Sequence, residues 1–428
     1  MIAPADLRAL RDAVGAHGVQ EHETGAPPGL PGAKIGITLT PSDGAALGRV
    51  VEVLGALGLA VVVRGGGSKL WLGNPPRRAD AILSTTALAG VDTLDADEGV
   101  AHVGAGTRVS ELRSLAERAG WEPALDPASP RATVGGVLAT GEIGPRCLRF
   151  GRPRDSVLGL EVVLGSGERT RCGGRVVKNV TGYDLAKLYT GSLGTLGVIE
   201  GAWLRLKPRA ERVLGLLVPV GDAAAALATG ARVARLPSAR CVALVDRSLL
   251  GAVSAGAASR AGIALVAELA GAASLVEREA GWLCGELGAE PGKDDVVGVL
   301  RAWHAEPPSG SFLRLRLSCR RSAFARTVEI LRGAGAALLA YPESSLLWAR
   351  FPLEPEADEV AAARPLRAVR EALREGEGSA LFEALPEWLA QGRDVFGDAP
   401  AALPLLRALK AKFDPSGVLN PGRFAAGL

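Results

Sequence analysis

The sequence predicts an α+β fold with more than one domain. Its 428 residues exceed the usual size of a single domain, about 150, and 48% of them are hydrophobic, which is typical of a globular protein. Helix and strand patterns alternate up to Pro208, and a second series of such patterns follows it. Two β-α-β-like units in the second series predict a ferredoxin-like, antiparallel sheet.

The first pattern is a helix, a strand and a glycine-rich loop. Apolar residues recur at helical spacing from Leu47 to Leu57, Ser42 can cap this helix, and a β-rich run covers residues 59–63. The strand leads into Arg64-Gly65-Gly66-Gly67-Ser68. Consecutive glycines can adopt positive φ and turn several N–H groups towards one phosphate, and a side chain at Gly66 is expected to block its approach. A flexible turn is the alternative interpretation.

A second loop of small residues strengthens the phosphate interpretation. It contains Thr133-Val134-Gly135-Gly136 and Ala139-Thr140-Gly141, which can bring backbone and a helix N-terminus to the same ligand. Around these two loops the pattern predicts a helix at residues 108–119, a hairpin about residues 165–167, and strands at residues 81–83, 100–103 and 198–206.

The second series of elements begins at residue 214. Its predicted strands are residues 214–218, 242–245, 263–268, 312–317, 336–341 and 346–351. Its predicted helices are residues 222–234, 274–287 and 322–333, and a last helix covers residues 403–412. Residues 353–359 and 370–377 are rich in charge or proline and are expected at the surface.

Charge, hydropathy and missing motifs exclude several function classes. A net charge of +3 is too small to indicate nucleic acid or an anionic membrane as the main partner. The longest strongly apolar run, Val53–Val63, is well short of the about 20 residues that cross a bilayer, and the N-terminus has no apolar signal region, so a cytoplasmic protein is expected. Gly104–Val109 completes only part of G-x-G-x-x-G, and the P-loop, G-x-S-x-G and H-E-x-x-H patterns do not occur.

Cysteines and histidines offer little chemistry of their own. Five scattered cysteines form no C-x-x-C pair, which argues against an iron–sulfur cluster or structural zinc in this chain, and no metal site is predicted. His304 is the only histidine of the second series. Beside Arg301 it can serve as a base and anion anchor for a hydroxy acid, although a lone histidine after Trp303 is more often structural. It is the single catalytic candidate.

The two loops, together with Lys178–Leu185 and Gly191–Ile199, resemble the vanillyl-alcohol-oxidase-type, or PCMH-type, FAD-binding family. Within it the chain is most similar to the FAD-binding E subunits of bacterial three-subunit glycolate oxidases. That similarity rests on residues 64–69, 133–141, 151–159 and 178–184, on Asp414-Pro415 and on Asn420-Pro421-Gly422-Arg423. It covers residues 35–210 and the last twenty or so, while the middle of the chain is only compatible with it.

The resemblance implies a two-lobed FAD-binding domain at residues 35–210 after an N-terminal segment, 1–34. A cap domain at residues 211–395 and a C-terminal segment, 396–428, that returns to the FAD domain would complete the chain. The first loop would hold the pyrophosphate of FAD, the second would follow the ribityl chain and the ring, and residues 197–199 would face the adenine. The cofactor residues so implied are Arg64, Gly65, Gly66, Gly67, Ser68, Lys69, Thr133, Gly135, Gly136, Thr140, Gly141, Asp155, Gly197, Val198, Ile199 and Arg423.

Asp155 and Arg423 each have an alternative interpretation, and Gly67 bears on how the flavin is attached. Asp155 can instead cap the entry of a strand, and Arg423 can instead form a surface salt bridge. Covalent relatives attach the flavin through a histidine at the third glycine of the first loop, which here is Gly67. Noncovalent FAD is therefore expected.

Departures from the family pattern shape the functional expectation. Relatives that oxidise hydroxy acids carry an H-x-G-D-G-N-x-H signature, which this chain lacks, and Leu193 stands where they usually have an acidic residue. We therefore expect an FAD-binding redox subunit that works with an FAD-linked D-type catalytic subunit and an iron–sulfur subunit on a small 2-hydroxy acid. Its association with the inner membrane would be peripheral, through these partners.

Other functions stay open at this point. A self-sufficient FAD-dependent oxidoreductase could act on a different small hydroxy acid or alcohol. A scaffold that has kept the fold without flavin chemistry is a third class. The NADPH-dependent reductase of cell-wall precursors is a distant alternative, disfavoured by residues 178–184 and by the C-terminal Asn-Pro-Gly-Arg.

Overall fold

The structure is a computed structural model. It describes residues 2–27, 29–30, 33–175, 183–254, 262–293, 295–305, 312–353, 359–374, 376–390 and 392–428. The chain divides into two compact units. Unit 1 comprises Met1–Ile143, Arg152–Pro208 and Asp398–Leu428, and unit 2 comprises Gly144–Gly151 and Arg209–Gly397.

Helices and strands alternate along most of the described chain. The helices are α1 Pro4–Val14, α2 Gly44–Ala56, α3 Val109–Arg118, α4 Val134–Thr140, α5 Cys147–Phe150, α6 Pro153–Ser156, α7 Leu185–Tyr189, α8 Ala223–Ala234, α9 Arg247–Val253, α10 Ala273–Leu287, α11 Val296–Ala305, α12 Phe324–Gly333, α13 Glu359–Ala372, α14 Glu387–Ala390 and α15 Leu403–Phe413. The strands are β1 Val19–Gly25, β2 Ile35–Leu39, β3 Val61–Arg64, β4 Ala81–Ser84, β5 Val91–Asp95, β6 Val100–Gly104, β7 Trp121–Pro123, β8 Val157–Val163, β9 Arg169–Gly173, β10 Val198–Pro208, β11 Arg212–Pro219, β12 Ala239–Asp246, β13 Ile263–Gly271, β14 Glu290–Pro291, β15 Phe312–Cys319, β16 Ala337–Tyr341, β17 Leu346–Pro352 and β18 Gly378–Ala384. None of the helices in the described ranges is long and apolar enough to cross a membrane.

The first sheet of unit 1 has the order β1-β2-β4-β3. Strand β4 runs parallel to both β2 and β3, whereas β1 is antiparallel to β2. Helix α2 packs its apolar face into the core of this sheet. Asp43 rather than Ser42 caps α2, because the Asp43 carboxylate accepts a hydrogen bond from the backbone N–H of Ala46 at 2.8 Å, while the Ser42 hydroxyl donates to Asp43.

The second sheet of unit 1 is antiparallel, with the order β5-β6-β10-β8-β9 and with β7 paired to β10. Its inward face packs with α3 and α4 around a core of small and branched side chains. The hairpin between β8 and β9 turns at Gly167, whose φ of +87° favours glycine. This sheet supplies the start of β10 to the site described below.

Unit 2 is built on one eight-stranded antiparallel sheet, in the order β14-β11-β13-β12-β16-β17-β15-β18. One face packs with α8, α10, α12 and α13 into the main core of the unit. The two β-α-β-like units of the sequence therefore form an antiparallel α+β layer. Strands β14 and β18, which the sequence pattern does not predict, extend this sheet at its two edges.

The Gly144–Gly151 segment groups with unit 2, although its flanking residues group with unit 1. Its helix α5 packs on β12, and Arg146 forms two hydrogen bonds of 2.9 Å to the buried Glu268. Arg240 donates to the same carboxylate at 2.6 Å. Although burial raises the pKa of Glu268, the two arginines outweigh this effect and hold that pKa below its ordinary value.

Candidate functional site

A cleft of about 730 Å³ lies within unit 1. The cleft collects nearly all of the residues that the sequence assigns to a cofactor. Those in its lining are Arg64, Gly65, Gly66, Gly67, Ser68, Lys69, Thr133, Gly135, Gly136, Thr140, Gly197, Val198, Ile199 and Arg423. Segments far apart in the sequence thus form one concave surface.

The first loop follows β3 and has no room for side chains at two of its glycines. A Cβ on Gly65 would overlap the Thr133 hydroxyl, and one on Gly66 would overlap the carbonyl oxygen of Arg131. Only Gly67 of the three has positive φ, at +72°. The expectation that Gly66 leaves space for a ligand is therefore corrected: its missing side chain lets the loop approach the second loop, and the positive φ belongs to Gly67.

The second loop enters helix α4. The Thr133 hydroxyl caps this helix by accepting a hydrogen bond from the Gly136 N–H at 3.3 Å, and the Thr140 hydroxyl donates to the Gly136 carbonyl at 2.8 Å. The Gly135 N–H donates to the carbonyl of Ala105 at 2.9 Å, and a Cβ on Gly135 would stand 2.7 Å from that of Ala105. Small residues therefore let the start of α4 pack closely beside the first loop.

The C-terminal segment completes the cleft by extending the free edge of β3. Leu419 forms a parallel bridge with Val61. The side chain of Asn420 accepts from the Val63 N–H at 3.0 Å and donates to the carbonyl of Leu193 at 2.8 Å. Asn420 thereby ties the strand before the first loop to the turn before β10.

Arg423 is buried in the wall of the cleft, with 4% of its surface exposed. Its Nη2 donates to the carbonyl oxygens of Leu70 and Leu72, each at 2.6 Å. Burial lowers the pKa of Arg423 to about 10. The alternative of a surface salt bridge is therefore wrong.

The other two cations of the cleft have different surroundings. Lys69 lies 3.6 Å from the carboxylate of Glu142 and above the ring of Trp71. Arg64 is partly buried, which lowers its pKa, and it forms no ion pair within the described part of the chain. Glu142 therefore balances the positive charge of Lys69, whereas no carboxylate in the described part of the chain balances that of Arg64.

Two predicted cofactor residues lie outside the lining. Gly141 has φ of +61° and closes the C-terminus of α4 in the left-handed conformation. Asp155 accepts a hydrogen bond from the Arg152 N–H at 2.8 Å and caps α6, which leads into β8. Residues 178–182 of the Lys178–Asp184 stretch fall outside the described residues, so this part of the prediction is not tested.

The lining also contains residues that the sequence analysis does not assign. These are Val63, Leu70, Leu72, Thr85, Ala139, Leu193, Gly194 and Asn420. Thr85 follows β4 and donates its N–H to the Arg64 carbonyl at 2.9 Å. Because β3 and β4 are parallel, their carboxyl ends meet at one edge, which is where ligands bind in open sheets. Once β3 and β4 are known to be neighbours, this rule for ligand sites predicts that Thr85 lines the cleft.

His304 lies in unit 2 within a cluster of aromatic side chains. It is 3% exposed, and its Nε2 is 3.0 Å from the Tyr341 hydroxyl. Its ring contacts Trp348 edge-to-face at 4.6 Å between centroids, and its carbonyl accepts a hydrogen bond from Arg314. These contacts favour the structural interpretation of His304. Across the described ranges, no group of three or more His, Cys, Asp or Glu side chains is arranged to hold a metal.

Comparison with known proteins agrees with this geometry. Residues 36–173 match the family described as FAD binding domain. D-lactate dehydrogenase of Archaeoglobus fulgidus is 36% identical over 183 residues, 43% of this chain and 41% of that protein. Glycolate oxidase subunit GlcE of Escherichia coli is 36% identical over 158 residues, and subunit GlcD of Bacillus subtilis is 32% identical over 180; these matches cover 36% and 42% of this chain. The matched region spans less than half the length of each relative, 41%, 45% and 38%.

Solved structures resemble the chain along nearly its whole length. Substrate-bound p-cresol methylhydroxylase aligns with a TM-score of 0.72 at 15% identity, covering 99% of this chain and 97% of that one. Alkyldihydroxyacetonephosphate synthase aligns with a TM-score of 0.71 at 16% identity, covering 98% and 85%. At such identities the likeness concerns the fold alone, and the predicted fold class is confirmed. Residues 36–173 thus match an FAD-binding domain, and the chain shares its α+β fold with p-cresol methylhydroxylase and alkyldihydroxyacetonephosphate synthase.

Proposed function

We propose that the chain is the FAD-binding redox subunit of a complex that oxidises a small 2-hydroxy acid such as glycolate. The observation that carries this proposal is the cleft of unit 1, where two loops of small residues meet the start of β10 and the C-terminal segment. A site of this kind fits a long cofactor whose diphosphate is held by backbone amides. Bound FAD would supply a hydride acceptor.

In this proposal, each part of the cofactor is bound by a different group of cleft residues. Residues 65–69 would hold the diphosphate, because they line the cleft and form its glycine-rich backbone. Thr133, Gly135, Gly136 and Thr140 would lie along the ribityl chain and the ring. Residues 197–199 would face the adenine. Packing of the loops against each other orients these groups.

Dependence on a complex follows from the chemistry that the chain lacks. Oxidation of a 2-hydroxy acid needs a base for the hydroxyl proton and a cation for the carboxylate. The chain has no H-x-G-D-G-N-x-H signature, and its one candidate base, His304, is buried among aromatic rings. Two of the curated relatives are named as subunits of glycolate oxidase. A partner of the FAD-linked D-type would therefore carry the substrate site.

The proposed reaction also requires a group that accepts electrons from the flavin one at a time. The five cysteines of the chain form no cluster motif, so an iron–sulfur subunit would take the electrons from the flavin one at a time. The three-subunit arrangement of bacterial glycolate oxidase would meet both requirements. Any association with the inner membrane would be peripheral and would come through these partners.

The test is purification of the chain alone and with its partners. Alone, it should bind FAD and show negligible oxidation of glycolate or D-lactate with an artificial acceptor. Co-expression with a D-type subunit and an iron–sulfur subunit encoded near its gene should yield a heteromeric, active complex. The Gly66→Ala variant, in which the first loop cannot pack, is the control that should bind no FAD.

Two outcomes would contradict the proposal. A chain that takes up no added FAD would point to a scaffold. Robust turnover by the chain alone, lost in His304→Ala while FAD binding and the unfolding midpoint stay at parental values, would point to a self-sufficient oxidoreductase acting on a hydroxy acid or alcohol. Activity that needs the partners and survives His304→Ala supports the redox-subunit assignment.

A further inference from the structure

Two arginines of the cleft have no carboxylate partner. Neither Arg64 nor Arg423 forms an ion pair within the described residues, and burial is the cause that lowers the pKa of each. Arg423 uses its Nη2 for two backbone carbonyls, and its Nε and Nη1 donate to no described group. Lys69 in the same cleft has Glu142 as its partner. Positive charge at the two arginines is therefore left without compensation.

A buried cation without an anion is costly, so the guanidinium of Arg423, which two backbone carbonyls hold in place, implies a negative ligand. Arg64 is only partly buried, so its cost is smaller. Both arginines lie at the first loop. Arg64 precedes it, and its Cδ is 3.7 Å from the place where a Cβ on Gly67 would stand. Arg423 is fastened by the carbonyls of Leu70 and Leu72, directly after the loop. The uncompensated charge is thus concentrated at the ends of one short segment.

The charge of FAD is concentrated in the same way. Its isoalloxazine ring, ribityl chain and adenine are neutral near pH 7, whereas each phosphate of its diphosphate carries a negative charge. A guanidinium matches phosphate oxygens by donating two parallel hydrogen bonds. Backbone amides of the first loop offer dipoles but no net charge. The two arginines can therefore supply the positive charge that the glycine loop lacks.

We propose that Arg64 and Arg423 are specificity-determining residues that bind the diphosphate of FAD, so that the cleft selects flavins by the charge of their tail. This inference rests on the proposed function, in which the cleft binds FAD. It separates two tasks: the glycine loop provides the shape of the site, and the two arginines provide its dependence on charge. Attraction between charges is screened by salt, whereas shape is not.

The test measures FAD affinity of the apo protein by quenching of flavin fluorescence, at about 0.05 M and about 0.5 M salt. The variants are Arg64→Met, Arg423→Met and Arg423→Lys. Arg78→Met is the matched control, because Arg78 is an arginine of unit 1 that pairs with Asp80 and does not line the cleft. Riboflavin, which has no diphosphate, is the matched ligand. Circular dichroism and the urea midpoint report the fold of each variant.

In the parent, FAD affinity should fall as salt rises. Each Met variant should bind FAD about 10- to 100-fold more weakly at low salt and lose much of the salt dependence. Arg423→Lys should keep the salt dependence with an intermediate affinity, since it retains the charge without the planar fork. Arg78→Met should match the parent. Affinity for riboflavin should be the same in all five proteins.

Three results would overturn the inference while leaving FAD binding by the parent intact. One is parental affinity and salt dependence in both Met variants. Another is weaker FAD binding with unchanged salt dependence, and the third is an equal fold-loss for FAD and riboflavin; both would mean that the arginines only support the loop. If Arg423→Met does not fold, Arg64→Met decides, because the Arg64 side chain has no hydrogen bond to the described protein. Failure of the parent to bind FAD would instead refute the proposed function.

Discussion

Asn420 accepts a hydrogen bond from the backbone N–H of Val63 across 3.0 Å, although 357 residues separate the two in the sequence. Asn420 has φ of +48°, a conformation that asparagine tolerates better than most residues. Its amide nitrogen also donates to the carbonyl of Leu193. One side chain thus fixes the strand before the first loop and the turn before β10.

Replacement of Asn420 with Ala should lower the free energy of unfolding by roughly 2–4 kcal/mol. The variant loses two hydrogen bonds in a buried place, and alanine tolerates this positive φ less well than asparagine. Urea unfolding measures the loss, and FAD affinity should fall with it. Asn420→Gly relieves the φ and removes only the side chain, so it should lie between Ala and the parent. Equal stability of all three proteins would show that the side chain fixes nothing.

Gly66 and Gly67 should respond differently to alanine. In Gly66→Ala the new Cβ overlaps the Arg131 carbonyl, so the two loops must separate and FAD binding should be abolished. In Gly67→Ala the Cβ has only ordinary contacts with Arg64, and the positive φ costs about 1–2 kcal/mol. Flavin titration and urea unfolding measure both variants. Stronger loss of binding in Gly67→Ala than in Gly66→Ala would mean that the loop is arranged differently.

Glu268→Gln should destabilise unit 2 by about 3–5 kcal/mol, because it removes the buried carboxylate that pairs with both Arg146 and Arg240. Glu343→Gln is the control, since Glu343 pairs with Arg321 at the surface and should change stability by less than about 1 kcal/mol. Thermal unfolding measures both. A Glu268 variant as stable as the Glu343 variant would contradict the expectation.

The same carboxylate gives a prediction for pH. A carboxyl whose folded pKa lies below its unfolded value stabilises the protein above that unfolded value, and this stability is lost as the pH falls through the folded pKa. The parent should therefore lose stability below about pH 4. Glu268→Gln should lose less over that interval. Parallel curves of stability against pH for the two proteins would show that another group titrates.

FAD should be released when the protein is precipitated with acid. Gly67 stands at the position where covalent relatives carry a flavin-linking histidine, and the five cysteines of the chain lie outside residues 133–141. Absorbance of the supernatant measures the released flavin. Yellow colour that remains in the precipitated protein would refute noncovalent binding.

Much of the cleft could be predicted from the sequence because its loops are local patterns. Gly65, Gly66 and Gly67 follow an apolar strand, and such a run has few structural explanations. Thr133 precedes two glycines in the same way. The family resemblance places Asp155 among the cofactor residues, but in the structure Asp155 caps the short helix α6. This local role matches the alternative that Asp155 caps the entry of a strand, because α6 leads directly into β8.

The remaining site residues depend on pairings that no local pattern contains. Thr85 joins the cleft because β3 and β4 lie side by side, and Asn420 joins it because Leu419 pairs with Val61. The position of Arg146 in unit 2 depends on Glu268, more than a hundred residues later. Sequence alone does not fix such long-range contacts, since their partners are chosen by packing.

The bridge between Val61 and Leu419 also sets the order of events during protein synthesis. Strand β3 leaves the ribosome early, but the partner for its free edge emerges only after all of unit 2 has been translated. Unit 2 can therefore begin to fold while the first sheet still has an open edge, which is a template for misassociation. A chaperone that protects nascent chains would have its greatest effect in this interval, before residues 419 and 420 close the edge of β3.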